Sequence, residues 1–129
     1  MITRVIAHKD VVYAAYSGAG VGVWIFKRGK KIGELEEPER NHGAWKDLIV
    51  FGEWVIGAFD KALVVWKKET GEFYTEIEMS EKSGAVTAIC HPSAYLNKVV
   101  VARRNGDLEI WNIKTGYEII GSGCCRRDG

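Results

Sequence analysis

One short pattern occurs three times in this chain: a β-branched residue, a tryptophan, four residues, then glycine. It reads Val23-Trp24 to Gly29, Val65-Trp66 to Gly71, and Ile110-Trp111 to Gly116. Trp66 follows Trp24 by 42 residues and Trp111 follows Trp66 by 45, the period of a four-stranded propeller blade, roughly 40–45 residues. Two more columns keep the same register. A small residue stands nine positions before each tryptophan (Ala15, Gly57, Ala102), and a turn former stands six before (Gly18, Asp60, Asn105). Columns in register identify internal repeats. The expectation is an all-β chain of about three four-stranded antiparallel blades, spanning about residues 1–40, 41–82 and 83–120.

Apolar runs punctuated by turn residues place four strands in each repeat. They are expected at 2–7, 11–17, 21–26 and 31–35; at 44–51, 54–59, 63–67 and 72–79; and at 85–91, 98–103, 108–113 and 117–120. Polar stretches at 36–43, with Pro38, and at 80–84 join the repeats. Asn105-Gly106 is the strongest short hairpin signal and predicts a type I′ turn, with positive φ at both residues. Leu63-Val64-Val65-Trp66 and Val99-Val100-Val101 are apolar on successive residues. A strand needs that only when both faces of its sheet are covered, as between neighbouring blades. A β-trefoil also has three repeats of this length, but its lectin forms carry glutamine two before tryptophan. Here that position holds Gly22, Val64 and Glu109, and the chain contains no glutamine. A plain meander sandwich would explain the strands and not the columns.

Little in the chain points to chemistry. The three cysteines are an odd count, with Cys124 and Cys125 adjacent, so no disulfide framework is expected and a reducing compartment is. The N-terminus lacks a secretory pattern. The uncharged run from Val11 to Phe26 is interrupted by glycines and is too short for a membrane span, so no membrane partner is expected. His8, His42 and His91 are scattered, and Cys90 and His91, adjacent in a strand, point to opposite faces. Neither a metal nor a cofactor is expected, nor a small-molecule substrate. The carboxylates Glu34, Glu36, Glu37 and Glu39, and Glu72, Glu76, Glu78 and Glu81, read as solvated edges. The glycine-rich Gly18 to Gly22 precedes a strand, so it lacks the helix that phosphate binding requires. The chain reads as non-catalytic.

Basic residues are the better candidates for contact. The turns after the third strand of each repeat carry Lys27, Arg28, Lys30 and Lys31, then Lys67 and Lys68, then Lys114. In a propeller these turns emerge on one face, where seven cations would meet phosphates or an acidic partner. Arg103 and Arg104 are expected on the opposite side. Tyr95 and Leu96 lie in the extra loop that lengthens the third repeat, either as an interface anchor or as a cap on the blade.

The third repeat carries a resemblance. Val86-Thr87-Ala88-Ile89 and Asn105-Gly106-Asp107-Leu108-Glu109-Ile110-Trp111-Asn112 resemble a WD repeat, with Asp60 and Asn105 at that family's turn position. The Gly-His dipeptide is missing, so the family's Asp-His-Ser-Trp network is incomplete in each copy. The segment His91-Pro92-Ser93-Ala94-Tyr95-Leu96-Asn97-Lys98-Val99-Val100-Val101 is similar to the start of the first propeller of the U3 snoRNP-associated protein 21 family. That resemblance covers about residues 2–120 and implies a nucleolar scaffold in pre-18S rRNA processing. Its partners would be the UTP-B proteins of the small-subunit processome, with pre-rRNA or U3 snoRNA met indirectly. The alternative is a WD-repeat adaptor of another intracellular complex. Residues 121–129 resemble none of the next blade, and three blades do not close a ring of 4–8, so the chain reads as a fragment. Alone, it is expected to aggregate or oligomerise through its uncovered sheet faces; a monodisperse monomer with a cooperative melt in analytical ultracentrifugation and calorimetry would overturn this.

Overall fold

The computed structural model describes residues 2–17, 21–36, 45–116 and 118–120. Its strands are β1 (Ile2–His8), β2 (Val11–Ser17), β3 (Val21–Lys27) and β4 (Lys30–Glu34); β5 (Trp45–Phe51), β6 (Trp54–Phe59), β7 (Ala62–Lys67) and β8 (Phe73–Glu78); and β9 (Val86–Cys90), β10 (Lys98–Arg103), β11 (Leu108–Asn112) and β12 (Glu118–Ile120). Each group of four forms its own antiparallel sheet in chain order. The first strands touch in series, β1 against β5 and β5 against β9, so they line a common axis. β4, β8 and β12 form the outer edges. The result is three blades of an unclosed propeller.

The middle blade explains the continuous apolar runs. Every residue of β6, and Ala62 to Trp66 in β7, is buried. Leu48, Val55, Phe59, Val64 and Trp66 pack toward the first blade against Tyr13, Ala15, Val23 and Leu35. The intervening residues Trp54, Ile56, Ala58, Leu63 and Val65 pack toward the third blade against Val86, Ile89, Val99, Val101 and Ile113. Strand alternation therefore sends apolar groups to two separate cores. The second and third repeat tryptophans point toward the preceding blade. Trp66 is 1% exposed in its seam with the first blade, and Trp111 packs on the core shared with the second. Trp24 lies on the far face of the first blade, half-buried beneath Tyr16, with ring centroids 4.6 Å apart, and the Lys31 ammonium, 5.1 Å from its centroid.

The glycine column has one backbone cause. Gly29, Gly71 and Gly116 have φ of 78°, 77° and 77°, a left-handed step that a side chain disfavours. In the second and third blades the glycine N–H closes a wide turn on the carbonyl four residues back, Lys67 or Asn112, at 2.8 Å in each case. In the first blade the turn is the two-residue Arg28-Gly29, with Arg28 also left-handed at φ 54°. This is where two successive residues take the positive φ of a type I′ turn. Asn105-Gly106 does not: only Gly106 is left-handed, at φ 95°. Its loop has three residues, closed by Gly106 N–H to Arg103 C=O at 3.0 Å and Arg103 N–H to Asp107 C=O at 2.9 Å. A three-residue loop is a type I turn followed by one left-handed residue, which leaves the positive φ to Gly106, and the Asn105 side-chain oxygen accepts from Asp107 N–H at 2.9 Å.

Gly18, the linker at 37–44 with Glu37, Glu39 and His42, and the 121–129 tail with both its cysteines lie outside the described residues.

The small-residue column is steric. A Cβ on Gly57 would lie 2.6 Å from Trp45 Cζ3 and 3.0 Å from Trp66 Cζ3. Two indoles fill the space that a methyl would need. Gly57→Ala is expected to lower stability by about 1–3 kcal/mol through overpacking, measured by chemical denaturation of the intact protein; an unchanged midpoint would show that the indoles move aside freely.

Candidate functional site

The turns that carry the seven cations gather at one end of the blades, together with the β1–β2 and β5–β6 turns. Lys68 N–H donates to Glu53 C=O there at 2.8 Å. A groove of about 470 Å³ opens between the first and second blades, with Val11, Tyr13, Ile25 and Ile32 beneath Lys9, Lys68, Glu53 and Glu69. The cations do not form a uniform positive face. Lys27 lies 3.7 Å from Asp10, and Lys31 pairs with Glu34 at 2.8 Å. Arg28, Lys30, Lys67 and Lys114 are exposed, and Lys68 is half-buried. Sequence reasoning counted the cations and missed that Asp10 of the β1–β2 turn and Glu34 of β4 would pair with two of them. Burial first, then Lys68 and Lys9, lowers the His8 pKa below the ordinary histidine range. Burial raises that of the Tyr13 phenol.

Arg103 is not a surface cation. It is 3% exposed, and its guanidinium Nη1 donates to both oxygens of buried Glu109, at 2.9 and 3.1 Å. Nε and Nη2 donate to Gly84 C=O, and Nη2 also to Ser80 C=O. The other partner of Glu109 is Trp111, whose indole N–H donates at 3.0 Å. Ser83 and Asn105 both donate to Asp107 Oδ2 at 3.0 Å. These bonds give the third repeat its own polar network where the Asp-His-Ser-Trp set is incomplete. Charged side chains are buried when paired and rarely otherwise. One sequence signal was present: Glu109 is two residues before Trp111, so both occupy one face of β11. Arg104 remains exposed.

Asp47 was also missed. It lies on the axial strand β5, 8% exposed. Oδ1 accepts from its neighbour Leu48 N–H at 2.9 Å and meets Arg4 of the first blade at 3.0 Å. Oδ2 accepts from Ile89 N–H of the third blade at 3.1 Å. One carboxylate thus touches all three blades. The turn residue Asp60 joins two of them, pairing with Lys46 at 3.1 Å while its carbonyl accepts from Val86 N–H at 3.0 Å. Of the loop candidates, Tyr95 is half-buried and Leu96 is 80% exposed. Among the described residues, no group of three or more His, Cys, Asp or Glu is placed to hold a metal.

A family description, the WDR36/Utp21 first beta-propeller, matches residues 1–125. The chain belongs to that family. It is 32% identical over 122 residues to the U3 small nucleolar RNA-associated protein 21 homolog of Schizosaccharomyces pombe, covering 92% of this chain and 13% of that protein. It is 28% identical over 107 residues to human WD repeat-containing protein 36, covering 81% of this chain and 11% of that protein. The chain therefore spans a small part of each relative's length. Two solved structures show the same fold. The computationally designed Ika8 protein superposes with a TM-score of 0.70 at 23% identity, over 91% of this chain and 35% of that one. The WD40 beta propeller domain of Doa1 superposes with 0.63 at 11% identity, over 92% and 38%.

Two measurements test this geometry. Replacing Asp47 with alanine leaves Ile89 N–H without its acceptor in a buried seam, so a loss of about 2–4 kcal/mol is expected in denaturant unfolding; a change under 0.5 kcal/mol would mean that water takes over the bond. Neutral His8 is favoured in the folded state, so its contribution is complete above about pH 6.5 and is lost as the unfolded chain takes up the proton first. An NMR titration should show a His8 midpoint below 6.5 that rises only part of the way back in Lys68→Gln, because burial is the larger cause.

Proposed function

We propose that these blades belong to a non-catalytic, nucleolar scaffold of small-subunit ribosome biogenesis, acting with U3 snoRNP-associated proteins during pre-18S rRNA processing. One observation carries this: the family match over residues 1–125, with 32% identity to a relative whose name ties it to U3 small nucleolar RNA. The architecture supports the reading. Most of the buried polar groups described above serve blade packing, which leaves turns and loops to meet partners. Propellers commonly work as rigid platforms, and fold alone does not assign a partner. The family therefore carries the functional argument, and the rigid three-blade frame is compatible with it. The UTP-B proteins are the partners this reading names, and RNA is met through them.

The test is immunoprecipitation of the tagged endogenous protein, scored for small nucleolar RNAs. U3 should be enriched at least tenfold over other small nucleolar RNAs, and imaging should place the protein in the nucleolus. Capture of the protein with U3 at background would instead favour a WD-repeat adaptor of another complex.

A further inference from the structure

The β9–β10 connection has no counterpart in the other two blades. β1 and β2 are joined by Lys9-Asp10, and β5 and β6 by Gly52-Glu53, whereas β9 and β10 are joined by the long segment from His91 to Asn97. Loops this long are usually mobile; this one is tied down at several points. Tyr95 N–H donates to Pro92 C=O at 2.9 Å, and His91 Nε2 donates to Tyr95 C=O at 2.6 Å. The His91 ring stacks on Phe51 of the second blade, with centroids 3.5 Å apart and planes 2° from parallel. Asn97 takes a left-handed φ of 56°. Its carbonyl accepts from Ile113 N–H at 2.8 Å, and its side-chain oxygen from the Trp54 indole N–H at 3.2 Å.

All of these contacts hold the loop, and none holds Leu96. At 80% exposure it is the most exposed large apolar side chain among the described residues. A loop serving to cap the blade would turn this residue inward. Pro92, Ala94 and Tyr95 surround it in sequence. Across the seam Tyr74, 37% exposed, lies against Trp54 at 4.7 Å between centroids, and Trp54 in turn holds Asn97. The apolar surface is bounded by cations. Lys67 is the cross-strand partner of Trp54, Lys98 follows Asn97 directly, and Lys114 follows Ile113, which bonds to Asn97. No ion pair joins any of these three lysines to another described residue.

We propose that the β9–β10 loop is a preformed docking element that inserts Leu96 into an apolar socket, rimmed by carboxylates, on a separate protein. A rigid anchor loses little conformational freedom on binding, and flanking lysines speed the encounter with an acidic rim. Protein is favoured over RNA because the protruding group is aliphatic and the aromatic side chains here are half-buried or engaged, so bases have no stacking platform. The inference does not depend on which complex the chain serves.

The test places a photo-crosslinking amino acid at position 96 of the full-length protein in cells. The proposal expects a nuclease-resistant adduct with a different polypeptide, mapped by mass spectrometry to a segment containing apolar residues and Asp or Glu. With that polypeptide purified, Leu96→Ala should weaken binding about tenfold or more, and Leu96→Met by less than about threefold. Lys67→Glu combined with Lys114→Glu should slow association and flatten its salt dependence. Both Leu96 variants should keep the parent melting temperature. Adducts with RNA alone, adducts within the same polypeptide, or unchanged affinity of Leu96→Ala would each overturn the proposal.

Discussion

Asp47 is the interaction on which the arrangement of blades depends. Neighbouring blades share apolar cores, and such packing is non-directional, so it does not by itself set how the axial strands align. A carboxylate does. Asp47 accepts from the backbone of its own strand and from Ile89 N–H in the next blade, with Arg4 of the preceding blade at its other side. Bonds from backbone N–H groups to a buried carboxylate contribute about 1.5–3 kcal/mol each. Arg4 is half in solvent and contributes less, because exposed ion pairs are screened. The Ile89 N–H bond is therefore the firmer hold, between the first strands of the second and third blades, and the Arg4 pair adds the link to the first.

Around that point each seam has its own polar fastening. The Trp66 indole N–H reaches Glu36 C=O at 2.7 Å in the connector from the first blade, and Trp45 reaches Tyr16 C=O at 3.2 Å. Glu36 also accepts from Phe73 N–H through its side chain, so one of the acidic residues expected to be a solvated edge works as a clasp. In the third blade, buried Arg103 and Glu109 neutralise one another and fix the Trp111 ring. Removing either partner alone would strand a charge in the core, the costly way to break such a pair. Tryptophan serves in all these seams because it combines a large apolar surface with one N–H donor.

The same geometry separates structural from interacting residues. Arg103 is a buried part of the third blade, whereas Lys27 and Lys31 are paired in solvent within the first. The groups left over are turn lysines and one loop with a protruding leucine.

The three blades, their strand limits to within a residue or two, and the two-sided burial of the middle sheet were legible in the sequence, because period and apolar runs report local geometry directly. The same register picked out Gly29, Gly71 and Gly116, and the structure added that all three are left-handed. The turn type at Asn105-Gly106 did not follow from it, since strand pairing makes the loop three residues long and leaves the positive φ to Gly106 alone. Neither did the roles of Asp47, Arg103 and Glu109. A charged residue in a strand pattern reads the same whether it faces water or a partner brought from 42 positions away, as Ile89 is to Asp47. Repetition along the chain determined the blades; only the packing of one blade on another decided which charges became buried fasteners and which stayed at the surface, because pairing across a seam depends on distance in space and not in sequence.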